Sequence, residues 1–215
     1  MGPDTTVVTL QNGMGNAEEI ARIIPADRIY VGLCFICAMR EKPGHVNHLE
    51  GGNIQFAPFI PTPEGTEKAR ELSELFANAG IKTRAFDAAE QIQWYKLVWN
   101  IPFNGLCLAL GGISIAELYQ NPENVMRARR IMEEVVQAAK ARGYALPEDL
   151  VEFHLSRTET MGAFIPSSAV DYNEGRPVEY TAIWGDPLSK ARQAGASVPE
   201  WELLDKAIRK RLNIN

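Results

Sequence analysis

The apolar pattern of the sequence changes near residue 87, and this change limits the possible folds more than any other feature. Before it, short β-branched and aromatic runs alternate with helical patterns, whereas after it apolar residues recur at helical spacing. Alternation of strands and helices is typical of a sheet covered by helices. We therefore predict an α/β domain over residues 1–87 and an all-helical domain over residues 88–215.

The first domain is expected to contain short strands and two helices. The predicted strands are residues 5–12, residues 28–39, a hairpin of HVNHLEG and NIQFAPF around Gly51-Gly52, and KTRAF. The predicted helices are residues 16–24 and 63–80, the second with Pro63 near its start and Gly80 at its end. Because the domain opens almost at once on a buried strand, we expect an incomplete sheet without its earlier strands.

The second domain is expected to contain helices near residues 88–110, 114–119, 122–142, 148–161, 177–194 and 199–211. In the first of these, WYKLVWNIPFN (94–104) carries Lys96, Asn100 and Asn104 four residues apart in an apolar stretch. These three side chains, here named the polar stripe, would project from neighbouring positions of one helix face. The polar stripe either faces water, with Lys96 extended into solvent, or lines a cavity. Pro102 favours the cavity, because a bend between the two asparagines suits a small polar ligand.

The composition argues against several classes of protein. With 46% hydrophobic residues, 23% charged residues and a net charge of −5, the 215-residue chain shows no basic pattern for nucleic acid. Its most apolar run, residues 101–118, is interrupted by proline and glycine, so no membrane span is expected. The N-terminus lacks the pattern of a secretory signal, and three cysteines are too few for a disulfide framework. We therefore expect a cytoplasmic protein.

The segment QNGMGN (11–16) joins a predicted strand to a predicted helix. Dinucleotide-binding folds place a G-x-G-x-x-G turn at such a junction, and Gly13 and Gly15 fit it, but Glu18 occupies the third glycine position. A carboxylate there would repel phosphates. The alternatives are an ordinary turn that uses glycine for its positive φ angles, or an Asn12 side chain that points into a ligand crevice.

Two cysteines and two histidines have the appearance of paired zinc ligands: Cys34, Cys37, His45 and His48. Residues three apart in a strand point to opposite faces, however, and the gap between the pairs is short for a zinc finger. Buried structural cysteines are therefore the favoured interpretation, and no metal is expected.

The segment PSSAVDYNEGRPVEY (166–180) combines helix-start signals with polar groups. Pro177 is expected to be the first residue of a helix, with Glu179 in its first turn. In the simplest interpretation Glu179 complements the helix dipole, and Ser167 or Ser168 caps a preceding turn.

Taken together, these segments resemble the ketopantoate reductase family. The resemblance runs in order through QNGMG, the K-x-x-x-N-x-x-x-N helix, S-S-x-x-D-x-x-x-G-R-P-x-E and the AGASVPE turn, and it covers essentially the whole chain. It implies a Rossmann-type domain followed by a helical domain of the kind found at the C-terminus of 6-phosphogluconate dehydrogenase. It also implies reduction of 2-dehydropantoate to pantoate with NADPH, on the route to pantothenate and coenzyme A.

The resemblance assigns a role to each matching residue. Lys96 matches the general acid, Asn100 and Asn104 match amides that hold the substrate, and Ser167 matches the hydroxyl that binds its carboxylate. The remaining matches are Glu179 near the nicotinamide ribose and the substrate, Asn12 near both cofactor and substrate, and Ala38 at a cofactor-lining position. A small 2-oxo acid is thus the expected partner, and a homodimer the expected assembly.

The sequence also departs from the family pattern. The G-x-G-x-x-G start is absent, so we expect this polypeptide to resemble only the rear of the nucleotide domain and to bind NADPH poorly by itself. Val170, Thr181 and Trp184 replace a common Gln, Asp and Asn, and Pro102 precedes the second asparagine where the family proline follows it. Two alternatives therefore stay open: a paralogue that reduces another small 2-oxo acid, and a non-catalytic helical oligomerisation module.

Overall fold

The structure, a computed structural model, describes residue 2 and residues 5–214, apart from the side chains of residues 39, 49 and 50. The chain divides into two units, residues 1–93 and residues 94–215. The first unit is built on a mixed sheet, and the described elements of the second are helical. The expected order of an α/β part followed by a helical part is confirmed.

Four strands form the sheet of the first unit. They are β1 (Val7–Thr9), β2 (Ile29–Lys42), β3 (His45–Pro58) and β4 (Lys82–Ala85), and they lie side by side in that order. The β1/β2 and β3/β4 pairs are parallel, whereas β2 and β3 are antiparallel. Parallel neighbours need a crossover, and helices α1 (Asn16–Ile20) and α2 (Pro63–Asn78) lie in those two connections.

The alternation of side chains along β2 gives the sheet two apolar faces. One face buries Ile29, Val31 and Leu33 together with Ala17 of α1 and with Ala89 and Ile92, which follow β4 in the chain. Tyr30, between them, lies on the opposite face with the buried Phe56 and with Ala69 of α2. The ends of α2 are as expected, since the Thr62 hydroxyl accepts the Gly65 N–H at 3.0 Å and Gly80 follows the last turn with φ +83°.

The predicted hairpin is wrong in its position. The turn between β2 and β3 lies at Pro43 and Gly44, and Gly51 and Gly52 lie inside β3. Phe35 faces Asn53 and the next residue of β2 faces Gly51, so one extra residue is accommodated there as a β-bulge. A Gly-Gly pair in a sequence indicates a turn and a bulge equally well, because both need positive φ angles. In this bulge the φ angles of the two glycines are +82° and +117°.

The second unit consists of short and long helices in sequence. They are α3 (Ala89–Ala109, which begins in the first unit), α4 (Ile115–Tyr119), α5 (Pro122–Ala141), α6 (Leu150–Glu159), α7 (Ser167–Asn173), a π-helical segment (Thr181–Gly185), α8 (Asp186–Gln193) and α9 (Pro199–Leu212). Most predicted helices are confirmed within a few residues. Among the described helices, none is long and apolar enough to cross a membrane.

Two features of residues 166–194 differ from expectation. Helix α7 was not predicted, and Pro177 is not the first residue of a helix, because helical structure resumes only at Tyr180. The backbone N–H of Arg176 donates to the Asp171 carbonyl at 2.8 Å and closes the end of α7. Residues 177–179 then have no regular secondary structure, and the fixed φ angle of proline is compatible with such a segment as well as with a helix start.

The bulge in β3 gives a test of the strand pairing. Gly44 and Gly51 both have positive φ angles, but a Cβ atom at Gly51 would lie 2.4 Å from the Phe35 carbonyl oxygen, whereas one at Gly44 would meet nothing within 4 Å. Gly51→Ala should therefore lower the free energy of unfolding by about 3 kcal/mol, and Gly44→Ala by about 1 kcal/mol. Urea denaturation followed by circular dichroism measures both, and equal losses would contradict the bulge.

Candidate active site

The helix that carries the polar stripe is buried on nearly all sides. Trp94, Val98, Ile101 and Phe103 are fully buried on α3, and so are most of the apolar residues that follow them. A helix that is apolar all round belongs in the interior of a protein. The interpretation of the polar stripe as a water-facing surface is wrong for the two asparagines, because Asn100 is 5% exposed and Asn104 is 2% exposed. Lys96 is half-buried.

Asn104 forms hydrogen bonds with the start of α7. Its side-chain oxygen accepts the backbone N–H of Ser168 at 3.1 Å and lies 3.4 Å from the Ser167 hydroxyl. A backbone N–H can only donate, so the acceptor is the amide oxygen, and the NH₂ group of Asn104 is left to donate elsewhere. Pro166 stands at the cap position of α7 and supplies no side-chain cap, so Asn104 takes that role from another helix.

Ser167 is exposed at the first position of α7. Its 3.4 Å contact with Asn104 is long for a hydroxyl hydrogen bond, so the hydroxyl can turn toward a ligand at little cost. The structure thus brings together Asn104 and Ser167, which are far apart in sequence. The expectation that Ser167 or Ser168 caps a turn is wrong, because at this helix start the Ser168 N–H is itself capped by the Asn104 oxygen.

Asn100 lies one turn before Asn104 on α3. The residue is 5% exposed, so its amide group lies in the interior. A buried amide has lost its hydrogen bonds to water, so a polar ligand that it contacts would be bound by a desolvated donor and acceptor. Glu179 is exposed and ends the irregular segment after α7. Its backbone carbonyl accepts the Ile183 N–H at 3.1 Å.

Pro102 does not interrupt α3, which continues as a helix from Ala89 to Ala109. Next to it, the carbonyl of Ile101 accepts the indole N–H of Trp184 at 3.0 Å. This contact requires Gly105, since a Cβ atom there would lie 2.9 Å from the same indole nitrogen and 2.7 Å from Leu204. Sequence reasoning missed Gly105 and Trp184; the Asn-Gly pair at 104–105 inside an apolar helix was the available signal.

Two of the predicted site residues lie in the first unit. Asn12 follows β1 and is half-buried, and its backbone carbonyl accepts the Asn16 amide at 2.9 Å at the start of α1. The Gly13 carbonyl accepts the buried Gln93 amide at 3.0 Å, which fixes the QNGMGN turn. Ala38 is exposed on β2 and pairs with His48 of β3.

The hypothetical zinc ligands lie along the β2/β3 hairpin. Cys34 pairs with Ile54, and His45 makes an ion pair of 3.0 Å with Glu41. In residues 5–214 as described, no three His, Cys, Asp or Glu side chains are grouped so as to hold a metal ion.

Two buried ionisable groups have structural roles in the second unit. The Glu134 carboxylate on α5 accepts the Glu200 and Trp201 N–H groups at 2.9 and 2.8 Å, so it caps α9, and desolvation raises its pKa. The His154 ring on α6 is buried and bonded to the Tyr95 backbone, and desolvation lowers its pKa to about 4. His154 is thus neutral at physiological pH.

The comparisons with known proteins agree with this architecture. The family model described as "Ketopantoate reductase PanE/ApbA C terminal" matches residues 88–211, and "Ketopantoate reductase PanE/ApbA" matches residues 1–61. The chain belongs to the ketopantoate reductase family. The family resemblance of the sequence is therefore confirmed, together with the fold that it implied.

Individual family members give the extent of the similarity. The chain is 36% identical to a 2-dehydropantoate 2-reductase from Nostoc sp., over 92% of this chain and 62% of the relative. It is 37% identical to the 2-dehydropantoate 2-reductase structure from Geobacter metallireducens, with a TM-score of 0.89 over 95% of this chain and 68% of that one. A structure of D-mandelate dehydrogenase with NADH is 25% identical, with a TM-score of 0.85 over 100% of this chain and 72% of that one. The chain thus spans less than two thirds of the Nostoc relative.

The indole contact with α3 can be tested by comparing two buried tryptophans. Trp184 and Trp201 are both 0% exposed, but the indole nitrogen of Trp201 has no hydrogen-bond partner among the described residues. Both Trp→Phe changes remove similar volume, so the difference between them reports the hydrogen bond. Trp184→Phe should therefore lose about 1–2 kcal/mol more stability than Trp201→Phe. Chemical denaturation of both variants measures this difference, and equal losses would show that the hydrogen bond contributes nothing.

His154 predicts a loss of stability in acid. The unfolded state takes up a proton near pH 6.5 and the folded state only near 4, so stability falls as pH drops through this window. One pKa unit corresponds to about 1.4 kcal/mol, so the loss attributable to His154 is about 3 kcal/mol. His154→Gln should flatten the dependence of unfolding free energy on pH between 7 and 4. An unchanged slope in His154→Gln would contradict the burial of a neutral ring.

Proposed function

We propose that the protein is a reductase of a small 2-oxo acid, with 2-dehydropantoate as substrate, pantoate as product and NADPH as reductant. The observation that carries the proposal is the pair of buried amides on α3, one of which also contacts the hydroxyl-bearing start of α7. Family membership supports the reaction class. The chain spans 62% of the Nostoc relative, so the activity of the whole relative is a proposal for this chain.

The amides and the serine suit the polar groups of a 2-oxo acid. The NH₂ groups of Asn100 and Asn104 are neutral donors that can orient a carbonyl or hydroxyl oxygen without adding charge to a buried site. The Ser167 hydroxyl, loosely held by Asn104, can donate to the substrate carboxylate. Because Asn104 also caps α7, substrate binding is coupled to a fixed helix start.

Lys96 is proposed to supply the proton. A bound nicotinamide cofactor supplies the hydride, and hydride addition to the ketone carbon leaves negative charge on its oxygen. A half-buried ammonium can stabilise that charge and donate the proton. Glu179, whose match in the family lies near the nicotinamide ribose and the substrate, is proposed to orient the ammonium.

The fit of the cofactor to the first unit is mixed. Asn12, after β1, offers an amide that suits the nicotinamide end, and Ala38 is proposed to line the same ligand. The QNGMGN turn does not suit the pyrophosphate, because Glu18 and Glu19 place carboxylates in the first turn of α1. We therefore assign no phosphate contact to this turn.

A second candidate is reduction of an aromatic 2-oxo acid. It is favoured by the likeness to D-mandelate dehydrogenase, which has an NADH complex, and by Val170, Thr181 and Trp184 at positions where the family pattern differs. Comparing kcat/KM for 2-dehydropantoate and for the 2-oxo acid of mandelate, with NADPH and with NADH, separates the two candidates. A homodimer and a cytoplasmic location stay predictions of the family resemblance.

The central test is turnover by a lysine variant. The protein should consume NADPH when 2-dehydropantoate is added, and Lys96→Ala should lower kcat about 100- to 10,000-fold because the proton donor is lost. The melting temperature should change little. Lys140→Ala, at an exposed position on α5, is the matched control and should keep full activity.

Other outcomes would identify the alternatives. If the unaltered protein neither consumes NADPH nor binds 2-dehydropantoate in calorimetry, the proposed function is wrong. If Lys96→Ala lowers stability in a protein without measurable turnover, the non-catalytic oligomerisation module is favoured instead.

A further inference from the structure

Tyr180 is held by two charged side chains of α9. Its hydroxyl donates to an Asp205 carboxylate oxygen at 2.6 Å and accepts the Arg209 Nε–H at 2.8 Å. Asp205 and Arg209 are one turn apart and form an ion pair of 3.3 Å, and Asp205 is 7% exposed. The Arg209 guanidinium also lies 5.3 Å from the centre of the Tyr180 ring. Tyr180 is therefore fixed by both its hydroxyl and its ring.

The residue before Tyr180 is Glu179, and its backbone is fixed on both sides. The Tyr180 N–H donates to the Val178 carbonyl at 2.8 Å, and the Ile183 N–H donates to the Glu179 carbonyl at 3.1 Å. Consecutive Cα atoms are about 3.8 Å apart, so anchoring Tyr180 to α9 also fixes the backbone from which the Glu179 side chain extends. The segment that follows is π-helical, a distortion that often accompanies functional sites.

Tyr180 also connects this segment to α3. Its ring stacks on Trp184, with the ring centres 6.3 Å apart and the planes at 26°. Trp184 in turn donates to the Ile101 carbonyl, next to Asn100. A continuous set of contacts therefore runs from α9 through Tyr180 and Trp184 to the helix that carries the two buried amides.

We propose that Tyr180 is a positioning residue that, through its bonds to Asp205 and Arg209 and its stacking on Trp184, sets the place of Glu179 relative to Asn100. This inference rests on the proposed function, because it assumes that Glu179 acts on the substrate. Trp184 stands where the family commonly has an asparagine, so this connection uses one residue by which the chain departs from the family pattern.

The hydroxyl of Tyr180 remains protonated at physiological pH. Desolvation and the adjacent Asp205 raise the pKa of Tyr180 to about 12. The hydroxyl can therefore donate to Asp205 and accept from Arg209 at the same time, which a phenolate could not do.

A double-mutant cycle on kcat/KM for 2-dehydropantoate tests the proposal. Tyr180→Phe keeps the ring but removes the hydroxyl, and should lower kcat/KM about tenfold, mainly through kcat. If Tyr180 acts through Glu179, the double variant Glu179→Gln with Tyr180→Phe should be no less active than Glu179→Gln alone. If the fold-loss of kcat/KM in the double variant equals the product of the two single losses, the proposal is overturned.

Tyr119→Phe is the matched control for a structural role. Tyr119 is another partly buried tyrosine whose hydroxyl is bonded, to the Leu155 carbonyl at 3.0 Å. Removing the Tyr119 hydroxyl should lower the melting temperature. Any fold-loss of kcat/KM that it causes should multiply with the fold-loss caused by Glu179→Gln. If Tyr180→Phe does not fold, Arg209→Lys, which keeps the charge but loses the Nε donor, takes its place in the cycle.

The outcomes separate this inference from the proposed function. No turnover by the unaltered protein, or full activity of Glu179→Gln, would overturn the proposed role of Glu179 and the inference with it. Normal turnover with multiplied effects of the two changes would overturn the inference alone.

Discussion

The near-complete burial of α3 is the constraint on which the helical unit depends. A helix surrounded by apolar side chains has no solvent to satisfy its polar groups, so each one must meet a defined partner. The Ile101 carbonyl meets the Trp184 indole, and the Asn104 oxygen meets the start of α7. Gly105 makes the first contact possible by omitting a side chain. Apolar packing thus determines where the few polar groups of α3 point.

The same burial supports the proposal of an active site at this position. Donors in a water-poor interior interact more strongly with developing charge than they would at a surface. Asn100 and Asn104 are held by a rigid helix rather than by a loop, and Ser167 is held at the start of α7 by Asn104 itself. This geometry is the basis of the proposal that a small 2-oxo acid binds here.

Much of the fold, but only part of the candidate site, could be predicted from the sequence. The helical periods and the proline and glycine signals predicted α2, α5 and α9 closely, because amphipathic patterns and end residues are local. The shift of the hairpin turn to Pro43 and Gly44, and the π-helical segment after Tyr180, depend on pairing between distant residues and could not be read locally. The spacing of Lys96, Asn100 and Asn104 made them candidates, whereas Trp184 looks like any core tryptophan in the sequence.

Two helices of the second unit borrow their N-terminal caps from side chains that come earlier in the chain. Asn104 on α3 caps α7, and Glu134 on α5 caps α9. A seven-residue helix such as α7 is too short to be stable by itself in water. During synthesis the capping residues emerge first, so α3 and α5 act as templates on which the later helices are completed. We expect α7 to acquire its helical structure as it docks, in the same event that creates the Ser167 environment.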